Sequence, residues 1–86
     1  MLDIKVLGSG CPNCIRLENL CNEVILENGI EAKVEKLTTL DDFNKYGIMM
    51  TPGLVVNGKI LSQGKIPVKA TLSSWLFTVL AETENG

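Results

Sequence analysis

The sequence predicts an α/β fold with the element order β-α-β-α-β-β-α, in which helices cover both faces of a four-stranded mixed sheet. Two patterns lead to this prediction. The apolar run Leu2–Leu7 is followed by a glycine turn, a helix and another strand, which is typical of a parallel βαβ unit with a right-handed crossover. Further along the chain, Asn57-Gly58 joins two short strands and is a strong signal for an antiparallel β-hairpin.

The first helix follows the glycine turn at residues 8–10. Pro12 suits its first turn, because the N–H group that proline lacks has no partner inside a helix at that position. Asn28-Gly29 is a typical helix end. Between these limits, apolar side chains recur every three or four residues and define one buried stripe. The stripe comprises Cys14, Leu17, Leu20, Cys21, Val24 and Ile25.

The middle of the chain contains a strand and a short helix. The strand covers residues 30–37, and its charged side chains favour an edge position in the sheet. Thr38 or Thr39 caps the helix, which extends to about Tyr46 and is terminated by Gly47. We expect its core contacts to be Leu40 and Phe43.

The last part of the chain contains the hairpin and a final helix. The hairpin strands cover residues 54–57 and 59–61, and Pro67 opens the helix. Residues 81–86 form a polar tail that we expect to fray, so the whole chain, residues 1–86, is predicted to be a single domain. The core stripe of the last helix comprises Val68, Leu72, Trp75, Leu76, Val79 and Leu80.

Composition narrows the possible functions. With 86 residues the chain has room for one hydrophobic core, and its 45% hydrophobic and 21% charged residues are typical of a globular protein. A net charge of −2 and the lack of a basic run give no general attraction to nucleic acids or acidic membranes. No segment has the pattern of a signal peptide or approaches the ~20 apolar residues that span a bilayer. We therefore expect a cytoplasmic protein.

Three cysteines and no histidine limit the metal and disulfide chemistry. This small, odd number does not indicate a disulfide-stabilised scaffold, and a mononuclear zinc site would lack a full ligand set. Cys21 lies seven residues after Cys14 on the same helix face, which is about 10 Å along the axis and too far for a disulfide. We interpret Cys21 as a core residue, with a third redox or metal ligand as the alternative.

Cys11 and Cys14 are the candidate catalytic residues. Cys11 directly precedes the first helix, where unpaired N–H groups and the helix dipole favour an anion. We therefore expect a lowered pKa for Cys11 and a nucleophilic thiolate. Cys14 lies one turn later on the inward stripe, which suits a resolving thiol. Gly10, Pro12 and Asn13 form the supporting loop.

These features resemble the thioredoxin fold, and in particular the small redox-active disulfide proteins, which are similar to thioredoxin and glutaredoxin. The resemblance rests on Gly-Ser-Gly-Cys-Pro-Asn-Cys at residues 8–14 and on Thr51-Pro52-Gly53 before the hairpin. It implies a cis bond before Pro52, and substrate binding by Thr51 and Pro52 beside Cys11. It also implies a thiol–disulfide oxidoreductase, acting as a protein disulfide reductase in electron transport and cell redox homeostasis.

The resemblance further implies the partners. Such an enzyme acts on disulfide-containing proteins, and its Cys11–Cys14 disulfide is reduced by an external donor of the thioredoxin-reductase type. We expect a monomer with no bound cofactor, no metal, no nucleic acid and no membrane partner. The chain departs from thioredoxin in having Gly10 before the first cysteine instead of tryptophan. On the first strand, the ionisable group nearest the cysteine pair is Lys5 and not an acidic residue.

The alternative function is a soft-metal binding or delivery module that binds Cu(I) through the same two thiolates. Modules of that class order their elements β-α-β-β-α-β and usually have methionine at the position that Ser9 occupies here. Both differences favour redox chemistry. Met49 and Met50 leave a related alternative open, because such a pair can form an adaptable or metal-binding surface or can pack at the rim of the core.

Overall fold

The elements follow the predicted order. The computed structural model describes residues 1–8, 10 and 12–85, with only the backbone for residues 83–85. The strands form one sheet of order β2-β1-β3-β4, in which β1 pairs parallel with β2 and antiparallel with β3. This confirms the mixed sheet and its parallel βαβ unit. The elements are β1 (Leu2–Leu7), α1 (Pro12–Asn28), β2 (Ala32–Leu37), α2 (Leu40–Tyr46), β3 (Gly53–Val56), β4 (Lys59–Gln63) and α3 (Lys69–Asn85).

The side chains of β1 alternate between the two faces of the sheet and contribute to two cores. On one face, Ile4 and Val6 pack with α1 and α3 in the larger core. On the other face, Leu7 packs with Ile48 and Val55 in a smaller core, which α2 covers. Helices therefore cover both faces, as predicted. The buried residues of the larger core are Leu2, Ile4, Val6, Leu17, Cys21, Val24, Ile30, Leu54, Val56, Leu72, Leu76 and Val79.

Several local signals are confirmed. The Thr39 hydroxyl caps α2 by accepting a hydrogen bond from the Asp42 backbone N–H at 3.2 Å. The hairpin turn has positive φ at both central residues, 52° at Asn57 and 81° at Gly58, as a type I′ turn requires. The edge position of β2 in the sheet also agrees with its charged sequence.

The prediction that Leu40 contacts the core is wrong, because its side chain is 73% exposed. Phe43 does pack against the smaller core, together with Tyr46. At 100° per residue, Leu40 lies about 60° around the helix from Phe43 and about 120° from Tyr46, so it falls at the edge of the face that these two residues define. A seven-residue helix that turns Phe43 and Tyr46 toward the sheet therefore leaves Leu40 exposed to solvent.

The start of α3 also differs from the prediction. The Leu72 N–H donates to the Val68 carbonyl at 3.0 Å, so Val68 is the cap and the helix begins at Lys69, two residues after Pro67. Val68 is 69% exposed, and its predicted place in the core stripe is wrong. It precedes the helix and does not share the helical periodicity of Leu72 and the residues after it.

The end of α3 lies further along the chain than predicted. The helix continues to Asn85, into the range 81–86 that the sequence assigns to a polar tail. Ala81 and Glu82 are good helix formers, and no glycine or proline interrupts them. Gly86 lies outside the described residues. That the end of the chain frays, and that residues 1–86 form a single domain, stay predictions. No helix in the described part of the chain is long and apolar enough to cross a membrane.

Candidate active site

The carboxyl end of β1 leads into the candidate site. The Gly8 N–H donates to the Leu37 carbonyl at 2.9 Å, which extends the parallel β1–β2 pairing one residue beyond the strand. Gly10 then turns the chain with a φ of 87° before Pro12 begins α1. Ser9 and Cys11, the neighbours of Gly10 in the sequence, lie outside the described residues.

Cys14 lies in the first turn of α1 and is fully buried. This confirms the inward position that the apolar stripe predicts. Cys14 is disulfide-bonded, whereas Cys21 is a free thiol. Because Cys11 lies outside the described residues, the Cys11–Cys14 pairing and the nucleophilic role of Cys11 stay predictions.

Gly8 lies directly against Cys14. A Cβ atom at position 8 would overlap Cys14 Sγ and lie 2.9 Å from Cys14 Cβ. The same atom would lie 3.9 Å from Thr51 Cβ. The alternation of β1 accounts for this contact, since position 8 continues the series of Ile4 and Val6 toward the α1 face. Gly8 is thus a site residue, although in the sequence it stands out only as part of the glycine turn and of the motif at residues 8–14.

Thr51 and Pro52 lie in the loop before β3. The Thr51–Pro52 peptide bond is cis, as the resemblance to the thioredoxin fold implies. Pro52 is fully buried and Thr51 is exposed. Through Gly8, the structure therefore brings together the end of β1, the first turn of α1 and this loop, which are far apart in the sequence.

A side chain from β4 supports the loop. The Gln63 Oε1 atom accepts a hydrogen bond from the Met49 N–H at 2.8 Å and a longer one from the Met50 N–H at 3.4 Å. The Gly64 N–H donates to the Pro52 carbonyl at 2.9 Å. No local sequence pattern marks Gln63 as a site residue, because its contact with the loop depends on the pairing of β4 with β3.

The surface around the site is exposed and partly apolar. Met49 is 90% exposed and Met50 is 58% exposed. The predicted supporting residues Gly10, Pro12 and Asn13 are exposed as well. A partner molecule can therefore reach both the start of α1 and the loop before Pro52.

Lys5 points away from Cys14. Its position in β1 places it on the α2 face, whereas Cys14 lies on the α1 face. The Lys5 ammonium pairs with Glu35 at 2.8 Å and with Asp3 at 3.0 Å. The hydrogen bond to Glu35, followed by the one to Asp3, raises the Lys5 pKa above its ordinary value. Lys5 is thus held as a cation on the opposite face and is not placed to exchange a proton with Cys14.

Cys21 belongs to the larger core, in agreement with the core interpretation. Burial, with a smaller contribution from Glu18, raises the pKa of its thiol to about 12. The thiolate is the reactive form of cysteine, so this thiol is unreactive near neutral pH. Among the residues that the structure describes, no three His, Cys, Asp or Glu side chains form a group that could hold a metal ion.

Comparisons with known proteins agree with this geometry. A family model described as thioredoxin domain matches residues 2–77, a range that includes Cys14 and the Thr51-Pro52 pair. Over 76 residues, the chain is 34% identical to a thioredoxin of Methanothermobacter thermautotrophicus, with 88% of this chain and 99% of that protein covered. Over 80 residues, it is 31% identical to a thioredoxin of Methanocaldococcus jannaschii, with 88% of this chain and 92% of that protein covered. The chain therefore belongs to the thioredoxin domain family.

Proposed function

We propose that this chain is a protein disulfide reductase in which Cys11 is the nucleophile and Cys14 is the resolving thiol. The Cys11 thiolate attacks a substrate disulfide, so that a Cys11–substrate bond forms, the substrate S–S bond breaks and one substrate thiolate leaves. The Cys14 thiolate then attacks Cys11, releases the second substrate thiolate and forms the Cys11–Cys14 disulfide. Two electrons pass to the substrate, and the two protons of the dithiol convert its thiolates to thiols.

One observation carries this proposal: the buried, disulfide-bonded Cys14 lies at the end of β1 next to Gly8 and near Thr51. A buried sulfur is poorly accessible to a protein substrate, which suits the second, intramolecular step. Cys11 directly precedes α1 in the sequence, and the N-terminal end of a helix stabilises a thiolate. The two cysteines are therefore suited to different steps of the same exchange.

The loop before β3 is the proposed substrate contact. Thr51 is exposed, and an extended substrate segment can pair with its backbone in the manner of an added strand. Met49 and Met50 add exposed, adaptable apolar surface beside it. These features fit a segment of a disulfide-containing protein, which we expect to contact Thr51 and Pro52 together with the exposed Gly10, Pro12 and Asn13.

The redox cycle requires an electron donor. An external reductase of the thioredoxin-reductase type would attack the Cys11–Cys14 disulfide and restore the dithiol. No resident cofactor is needed for either exchange step, because the electrons are carried by the cysteine pair itself. A cytoplasmic location and a monomeric state complete the proposal, since the thiol pool of the cytosol is kept reduced.

An insulin reduction assay with dithiothreitol as the electron donor tests this function. The wild-type protein is expected to accelerate insulin precipitation above the rate with dithiothreitol alone. Cys11→Ser should abolish the acceleration, while the matched control Cys21→Ser should retain it, because Cys21 is buried and belongs to the core. Equal activity of wild type and Cys11→Ser would contradict the proposal.

A titration of the reduced protein with Cu(I) distinguishes the alternative function, a soft-metal module, from the reductase. If the chain is a soft-metal module, it should bind Cu(I) tightly at a fixed stoichiometry and show no disulfide reduction. Turnover of insulin by the same preparation, lost in Cys11→Ser, would instead support the reductase. Stoichiometric Cu(I) binding without turnover would overturn it.

A further inference from the structure

We propose that Gly8 is a positioning residue that sets the reduction potential of the dithiol by leaving space for the sulfur of Cys14. This inference rests on the proposed function, because it concerns the equilibrium between the dithiol and disulfide forms of that site. It adds Gly8, at the end of β1, to the two cysteines as a third residue that determines the redox properties of the site.

The contact cannot be relieved by moving the backbone at Gly8. Its N–H is hydrogen-bonded to the Leu37 carbonyl, and the preceding residue, Leu7, pairs with Leu37 on one side and with Gly53 on the other. Strand β1 therefore lies in the interior of the sheet with neighbours on both sides. A side chain at position 8 must project toward α1, where Cys14 Sγ lies.

Helix α1 also has little freedom to retreat. Its inner face is held in the larger core by Leu17, Cys21 and Val24, all fully buried. On the surface, Lys69 of α3 pairs with Glu23 and Glu27 of α1 at 3.0 and 2.9 Å. With the strand and the helix both held in place, a methyl group at position 8 must displace the sulfur of Cys14.

The displacement affects the two redox forms unequally. The 2.9 Å approach to Cys14 Cβ is the same in both forms, but the closer overlap with Cys14 Sγ is not, because in the dithiol the side chain can rotate about χ1 and move its sulfur away from an added methyl group. In the disulfide, a covalent bond holds the sulfur, so the overlap with the methyl group persists. A larger residue at position 8 therefore destabilises the disulfide more than the dithiol, and the reduction potential becomes less negative.

Equilibration of Gly8→Ala with mixtures of reduced and oxidised dithiothreitol tests the proposal, with the fraction of dithiol read by alkylation and mass spectrometry. The equilibrium is expected to shift toward the dithiol by at least about tenfold, which corresponds to ~30 mV for this two-electron couple. Gly53→Ala is the matched control. Its Cβ would lie 2.8 Å from Ile48 Cδ1, so this substitution disturbs packing against Ile48 and not against Cys14. Its equilibrium should equal that of wild type.

The outcomes separate this inference from the function on which it rests. A wild-type protein that titrates reversibly, with Gly8→Ala unchanged, would overturn the role of Gly8 and leave the reductase intact. A shift of equal size in Gly53→Ala would also overturn it, since general loss of packing would then explain the effect. A wild-type chain that forms no reversible disulfide would overturn both proposals.

A second measurement applies if Gly8→Ala is too unstable to titrate. Replacing Cys14 with alanine removes the sulfur that occupies the Cβ position of residue 8. The destabilisation caused by Gly8→Ala, measured by urea unfolding, should then be smaller in Cys14→Ala than in oxidised wild type, in which the disulfide holds the sulfur in place. An equal cost in both backgrounds, or failure of Gly8→Ala to fold in either, would place the conflict elsewhere and overturn the proposal.

Discussion

The sulfur of Cys14 occupies the space that a side chain at Gly8 would fill. This relationship joins the first turn of α1 to the end of β1 and brings both within reach of Thr51. It explains how Cys14 can be fully buried although it belongs to the exposed end of a helix. The same contact gives glycine a specific purpose at position 8, where φ is not positive and flexibility is not required.

Replacing Cys14 with serine is expected to trap substrate. The Cys11 thiolate can still attack a protein disulfide, but the serine hydroxyl cannot displace the substrate from the mixed disulfide. Insulin incubated with Cys14→Ser without a reductant should therefore migrate as a covalent adduct on a non-reducing gel. The double variant Cys11→Ser/Cys14→Ser should give none, because Cys21 is buried. An adduct through Cys21 would contradict the assignment.

The thiol of Cys21 is expected to make stability fall at alkaline pH. Its pKa is raised from the ordinary 9.0 to about 12, mainly by burial and secondarily by Glu18. Between these values the unfolded chain has lost the proton and the folded chain retains it. The free energy of unfolding should then decrease by at most about 1.4 kcal/mol per pH unit, and below pH ~9 the contribution should be constant.

Urea unfolding of wild type and Cys21→Ala measures this effect across the alkaline range. Other groups also titrate there, so the relevant quantity is the difference between the two proteins at each pH. Wild type should lose stability relative to Cys21→Ala as the pH rises. A difference that does not change with pH would show that Cys21 ionises equally in the folded and unfolded chains.

Gln63 is expected to hold the loop before β3 through its side-chain carbonyl. Gln63→Leu removes the acceptor for the Met49 and Met50 N–H groups and should lower stability by about 1 kcal/mol, the typical net value of a hydrogen bond. The amide protons of both methionines should also exchange faster in NMR spectra. Gln63→Glu retains an acceptor oxygen and is the matched control. Unchanged exchange in Gln63→Leu would refute this role.

Lys5 is expected to take no part in proton transfer. It pairs with Asp3 and Glu35 on the α2 face, so Lys5→Met should leave both the rate of insulin reduction and its pH dependence within about twofold of wild type. Stability should fall by less than ~1 kcal/mol, because both carboxylates are substantially exposed to solvent. A displaced pH–rate profile would instead link Lys5 to the cysteine pair.

The sequence predicted those features that depend on residues close together in the chain. The cap at Thr39, the turn at Asn57-Gly58 and the inward stripe from Cys14 are each encoded within a few neighbouring residues. Predictions failed where an element is short or a residue lies at its boundary. Leu40 is the first residue of a helix that is too short to bury both of its ends. Val68 was assigned to the apolar stripe of the last helix, but it precedes that helix.

By itself, then, the sequence determined the element order, the mixed sheet and the inward position of Cys14, because hydrophobic periodicity and turn residues act locally. Only the tertiary structure decided which groups meet at the site. Gly8 touches Cys14, and Gln63 reaches Met49, because the register of β1 and β4 brings together backbones from separate elements. No local pattern encodes that register, since it follows from the packing of all the strands and helices at once.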